Sequence, residues 1–173
     1  MNQRLLATAA IAAAFLFSAS ARAQAPSDPQ IVGIVVAANQ IDIDAGKLAI
    51  SRAHSPEVKK FAREMVNDHS SHQKGVFALG AKLHVTPAES PTATSLKQGA
   101  ADNLAHLKTL SGAAFDKTYI DHEVAYHQAV IDAVNSTLIP NAQNGELKSA
   151  LEAAAPVFQG HLQHAQHIQS GLG

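Results

Sequence analysis

Ten histidines and no cysteine stand in a chain of 173 residues. Imidazole is the side chain that titrates near neutral pH without perturbation, and in its neutral form it is the commonest metal ligand. Spacing carries more information than number. His69 and His72 are three apart, Glu123 and His127 four apart, and His161, His164 and His167 follow in steps of three. Residues three or four apart share a helix face, so Glu123 and His127 can point a carboxylate and an imidazole the same way. A mixed shell of imidazoles and carboxylates suits one transition-metal ion, Zn²⁺, Cu²⁺ or Fe²⁺. Without cysteine there are no disulfides, Cys–zinc sites or thiol nucleophiles. Nor does the chain carry a serine-nucleophile elbow, a phosphate loop or a Gly-rich cofactor fingerprint. Nothing in it identifies a catalytic reaction.

Elements must position these groups. Residues 31–53 hold Ile31, Ile34, Val35, Ala38, Ile41, Ala45, Leu48 and Ala49 at helical spacing, which predicts a first helix. Ser55-Pro56-Glu57 is a helix start, with Ser55 as N-cap and Pro56 at the first helical position. A second helix over 56–83 follows, and its seam of alternating three- and four-residue steps includes His69 and His72. Between 84 and 112 the pattern weakens. Thr86-Pro87 and Ser90-Pro91 mark a loop, and Leu96, Leu104, Leu107 and Leu110 suggest a short helix. So long a connection is expected to travel the length of a bundle. A third helix is predicted over 113–138, closed by Pro140, and a fourth over 146–170, kinked at Pro156. The expectation is an all-α chain, a ferritin-like four-helix bundle with a long crossover between helices two and three.

At about 100° per residue, the apolar faces can be projected. Asp42 falls near the middle of the first face, with Asp44 turned away. His69 is central on the second, His72 nearer its edge, and Glu64 and Asp68 turn outward. Glu123 and His127 lie inside the third arc, with His122 at its edge. On the fourth, His161 is inside, His164 marginal and His167 outward. Every main helix thus sends a carboxylate or imidazole inward near its middle. A buried charge of this kind persists only when paired, neutralised or metal-bound. Asp42, His69, Glu123, His127 and His161 are the candidate metal set. A closed, metal-free hydrogen-bonded network of the same residues is the alternative.

Several stretches carry a resemblance. They are Ile41-Asp42-Ile43-Asp44-Ala45-Gly46-Lys47-Leu48-Ala49, Ser55-Pro56-Glu57-Val58-Lys59-Lys60-Phe61-Ala62 and Met65-Val66-Asn67-Asp68-His69. To these are added Phe115-Asp116-Lys117-Thr118-Tyr119, His127, Pro156 and His161-Leu162. Together they resemble the domain-of-unknown-function family 4142, exported bacterial proteins with a ferritin-like helical fold. The resemblance implies the fold and little about activity. His69, His127 and His161 match the family's histidine positions; Asp42 stands where the family usually has Glu, and Glu123 matches no family position. Di-iron carboxylate proteins use paired Glu-x-x-His motifs. Here Val66 and Phe158 stand three residues before His69 and His161, which argues against di-iron chemistry.

The N-terminus reads as a signal peptide over 1–23: Arg4, an apolar run from Leu5 to Phe17, and small residues ending at Ala23. About 13 apolar residues fall short of the roughly 20 that span a bilayer. The expected mature chain, 24–173, is one domain in the periplasm or outside the cell, with no membrane span. Without Arg4 and Arg22 it carries 11 basic and 14 acidic residues. That balance gives no reason to expect nucleic acid as partner. The candidate roles are metal binding or buffering, or a metal-free structural module of the cell envelope with an envelope protein or a second copy as partner.

Overall fold

The computed structural model describes residues 25–172. It is all-helical among these residues: α1 (Asp28–Arg52), α2 (Pro56–Leu83), α3 (Pro91–Lys108), α4 (Gly112–Ala133), a π-helical turn (Val134–Leu138), α5 (Ile139–Asn141) and α6 (Gly145–Gly171). α1 packs along α2 and α4 along α6; α1 also meets α4, α2 meets α6, and α3 lies on α1. No described helix is long and apolar enough to cross a membrane. The expected signal segment, 1–23, lies outside the described residues.

The helix starts are written in the sequence. Ser55 Oγ accepts the backbone N–H groups of Glu57 and Val58 at 3.2 and 3.4 Å, with Pro56 in the first turn. Ser90 and Asn144 cap α3 and α6 in the same manner. Each cap satisfies donors that have no partner inside the helix. Asp116, buried on α4, reaches across to accept the N–H groups of His54 and Ser55 at 2.8 and 2.7 Å. It thereby locks the α1–α2 corner to α4. Gly33 is where the connection after α2 crosses α1: a Cβ there would lie 2.1 Å from the Ala88 carbonyl oxygen.

Two elements differ from expectation. α3 is 18 residues long, although only Ala93 and Leu107 on it are buried; so sparse an apolar pattern conceals its length. The third helix was expected to stop before Pro140. Instead it widens into the π turn, where the Ile139 N–H donates to the Val134 carbonyl, and the chain passes through Pro140 in helical conformation. The wider turn relieves the clash a proline ring makes with the preceding turn of an α-helix. α6 runs through Pro156 as one helix.

The apolar core is in two parts. One gathers Ile31, Ile34, Leu138, Leu147, Leu151 and Phe158 with their neighbours. The other gathers Phe61, Met65, Leu107, Phe115, Tyr119 and Ile168. Asn39 and Asp42 on α1, His69 on α2 and Glu123 and His127 on α4 come where one cluster gives way to the other. The result is a polar layer across the middle of the helices.

Candidate metal centre

Asn39 and Asp42 on α1, His69 on α2, Glu123 and His127 on α4 and His161 on α6 form that layer, each at most 3% exposed. The structure brings together all five residues expected from the sequence. Their convergence follows from helical periodicity: each occupies a core position on its helix, at a depth where the antiparallel neighbour does the same.

The three imidazoles form a triangle, with ring centroids 5.2 Å (His69–His161), 5.5 Å (His127–His161) and 5.7 Å (His69–His127) apart. One ligand atom from each lies within 4.8 Å of the other two. Every ring is held by one nitrogen. His69 Nδ1 donates to Asn39 Oδ1 at 2.9 Å. His127 Nδ1 donates to the Glu123 carbonyl at 3.0 Å. His161 Nε2 donates to Asp68 Oδ2 at 3.0 Å. Such bonds fix the tautomer and leave a lone pair on the other nitrogen. Those nitrogens, Nε2 of His69, Nε2 of His127 and Nδ1 of His161, are buried and have no hydrogen-bond partner. Phe158 stacks on His69 at 5.8 Å and 7°, which restrains the ring further.

Asp42 and Glu123 stand beside the triangle. One oxygen from each and a nitrogen of His127 lie within 4.8 Å of one another, and Asp42 Oδ2 is 3.4 Å from His69 Nδ1. Burial pushes both acids up, Glu123 to about 8 and Asp42 well above the carboxylate range, where the facing Glu123 adds to the effect. Burial, with the neighbouring imidazoles acting in the same direction, pushes His69 down to about 2 and His127 down to about 4. Without a cation, burial therefore favours the uncharged forms of Asp42, His69, Glu123 and His127. A cation would supply the charge that lets both acids ionise. The donor set fits a transition metal: three imidazole nitrogens, with two oxygens in reserve.

A cavity of about 1090 Å³ reaches this layer. Asp42, His69 and His127 line its inner end, and residues 25–27 and 88–92 stand around it elsewhere, with an otherwise largely apolar wall. His72 also faces it and donates to Asn39 Oδ1 at 3.1 Å, half-buried as its edge position implied.

Sequence reasoning missed Asn39, which accepts from two histidines while its amide donates to the Val35 carbonyl at 3.0 Å. A signal was present, since Asn39 precedes Asp42 by three residues on the same face, but a search for ionisable ligands passes over an amide. Tyr119 is wholly buried as well, and its hydroxyl sits beside Glu123.

The chain belongs to the family described as "Domain of unknown function (DUF4142)", whose model matches residues 15–168. A comparison with curated proteins finds no match. Among solved structures it is similar to CopM in its Cu(II)-bound form, with a TM-score of 0.67 at 17% identity, covering 87% of this chain and 100% of that one. CopM in an Ag-bound form gives 0.62 at 18%, over 84% and 96%. A DUF305 protein of Streptomyces coelicolor, described as secreted, gives 0.69 at 10%, over 84% and 92%. At these identities the likeness is one of fold.

Proposed function

For this member of DUF4142, we propose an exported metal-binding protein that holds one transition-metal ion between His69, His127 and His161, with Asp42 and Glu123 as the adjacent carboxylates. One observation carries the reading: three clustered, buried imidazoles from three helices each have one nitrogen tied and the other buried without a partner. A buried polar atom left unpaired costs about 1–3 kcal/mol, so three together are expensive unless a cation takes their lone pairs. His69, His127 and His161 would hold the ion, and bound there it would supply a Lewis-acidic positive charge in a buried setting. Asn39, Asp68 and the Glu123 carbonyl orient the rings toward it. Copper is the foremost candidate: nitrogen donors suit it, and the similar CopM is described in Cu(II)- and Ag-bound forms.

The cavity leaves the Asp42, His69 and His127 side of the centre open, so the ion is exchangeable and the role is binding or buffering. The ferritin-like bundle arrangement, cleavage after Ala23 and a periplasmic or secreted location belong to the same reading. The metal-free network has one feature in its favour, two neighbouring acids that burial holds toward the protonated form. It leaves the inward nitrogens unsatisfied. Elemental mass spectrometry of the exported, untagged protein decides between them. One equivalent of a single metal, lost in Asp42→Ala/His127→Ala, supports the centre. No metal in either protein after incubation with zinc, copper and iron leaves the network.

A further inference from the structure

His161 has two nitrogens in different surroundings. Nδ1 is buried without a partner, whereas Nε2 meets Asp68 at the outer side of the α2–α6 seam. Glu64 stands one turn before Asp68 on α2. One ligand atom each from Glu64, Asp68 and His161 lies within 4.8 Å of the others. His164, one turn after His161 on α6, adds its Nδ1 at 3.0 Å from Glu64 Oε2, its ring set edge-on against Phe61 at 5.3 Å. The cluster is reachable from solvent: the side chains of Asp68, Glu64 and His164 are 47, 36 and 29% exposed. Among the described residues, neither acid is paired with a lysine or arginine; both face imidazoles.

We propose that Glu64, Asp68, His161 and His164 form a second, outer site for a divalent transition cation, joined to the core centre through the ring of His161. This rests on the core reading given above. The donors are two carboxylates four apart on α2 and two imidazoles three apart on α6, a mixed set suited to Cu²⁺ or Zn²⁺. His161 is the link between the two sites: its Nδ1, unpartnered on a side chain only 4% exposed, is the core donor, and its Nε2 meets the outer acid Asp68. When the outer cation arrives, the Nε2–H bond breaks, its proton leaves to solvent, and the freed electron pair binds the cation. The ring then bridges two ions as an imidazolate, and nothing is oxidised or reduced. Four carboxylates flank the pair, Asp42 and Glu123 within and Glu64 and Asp68 without; with the imidazolate they set five negative charges against the four positive charges of two divalent ions. The second pair of acids thus has a role that a single core ion does not require.

Cu²⁺ titration of the exported, metal-free protein, followed by electron paramagnetic resonance and native mass spectrometry, tests this. The first equivalent should give an isolated Cu(II) signal. The second should bind and lower the integrated signal below that of the singly loaded protein, because an imidazolate couples the two spins. Glu64→Gln/His164→Gln should bind one equivalent with an undiminished signal, and His69→Ala/His127→Ala should keep only the outer ion. The proposal is overturned if the wild type stops at one equivalent, if the Glu64/His164 variant still binds two, or if the second ion adds its full signal. Failure of the core reading shows differently, as copper uptake that does not depend on His69 and His127.

Discussion

Raising the pH from 6.5 to 8 should destabilise the chelator-treated protein relative to its Glu123→Gln variant, contrary to the behaviour of a protein held by ordinary ionised carboxylates. Glu123 is pushed from 4.5 to about 8 by burial. Between those values the unfolded chain has lost that proton and the folded chain still holds it, so stability falls as pH rises. The lowered histidines act in the other direction. His69 and His127, brought down from 6.5 to about 2 and about 4, make stability rise with pH until the unfolded imidazoles have titrated, and at pH 6.5 these are still half protonated. Each therefore adds about 0.4 kcal/mol between pH 6.5 and 8; His72 and His122, lowered by burial, act in the same direction, and comparison with Glu123→Gln, which keeps all four histidines, cancels them. One proton is worth about 1.4 kcal/mol per pH unit, so Glu123 alone should remove about 1.6 kcal/mol over this interval. For a chain of this size that corresponds to a fall in Tm of about 3–6 °C. Asp42, raised for the same reason, adds in the same direction. Thermal melts by circular dichroism at constant ionic strength would measure it, with Glu123→Gln as the control that keeps the shape and removes the proton. Saturating metal should reverse the sign, because ions compete with those protons and bind more tightly as they leave. A Tm difference between the wild type and Glu123→Gln that stays level from pH 6.5 to 8 would refute the reasoning.

Asn39→Ala removes the acceptor shared by His69 and His72. It should weaken metal binding about 10–100-fold, measured by competition with a chromogenic chelator. Asp116→Ala leaves the His54 and Ser55 amides without their acceptor. Urea unfolding should show a loss of about 2–4 kcal/mol, while metal stoichiometry stays at the wild-type value. Gly33→Ala drives a methyl group against the Ala88 carbonyl oxygen; backbone must shift, at a cost of ~1–3 kcal/mol in the same assay.

The inward polar residues were legible because periodicity and depth are both sequence properties. Asp42, His69, Glu123, His127 and His161 each interrupt an apolar stripe near the middle of a long helix, and packing such helices brings their midpoints together. What periodicity does not encode is rotation about the side-chain bonds. Which imidazole nitrogen faces inward depends on Asn39, the Glu123 carbonyl and Asp68, and these partners lie on another helix or on backbone. Asp68 is the plain case: the projection turns it outward, and it does sit at the surface, yet it reaches the seam to hold His161. α3 was under-read because most of its surface meets solvent and it therefore needs few apolar residues. The π turn escaped because Pro140 reads locally as a stop, whereas the chain accommodates it by adding a residue to the preceding turn.

Crystals of the metal-loaded protein, measured at the absorption edge of the bound metal, address the central claim directly. The account predicts an anomalous peak between His69, His127 and His161, with nitrogen ligands at about 2.0–2.1 Å as for zinc. A loaded protein whose anomalous density lies only at the surface, with the three rings still turned to an empty centre, would contradict it.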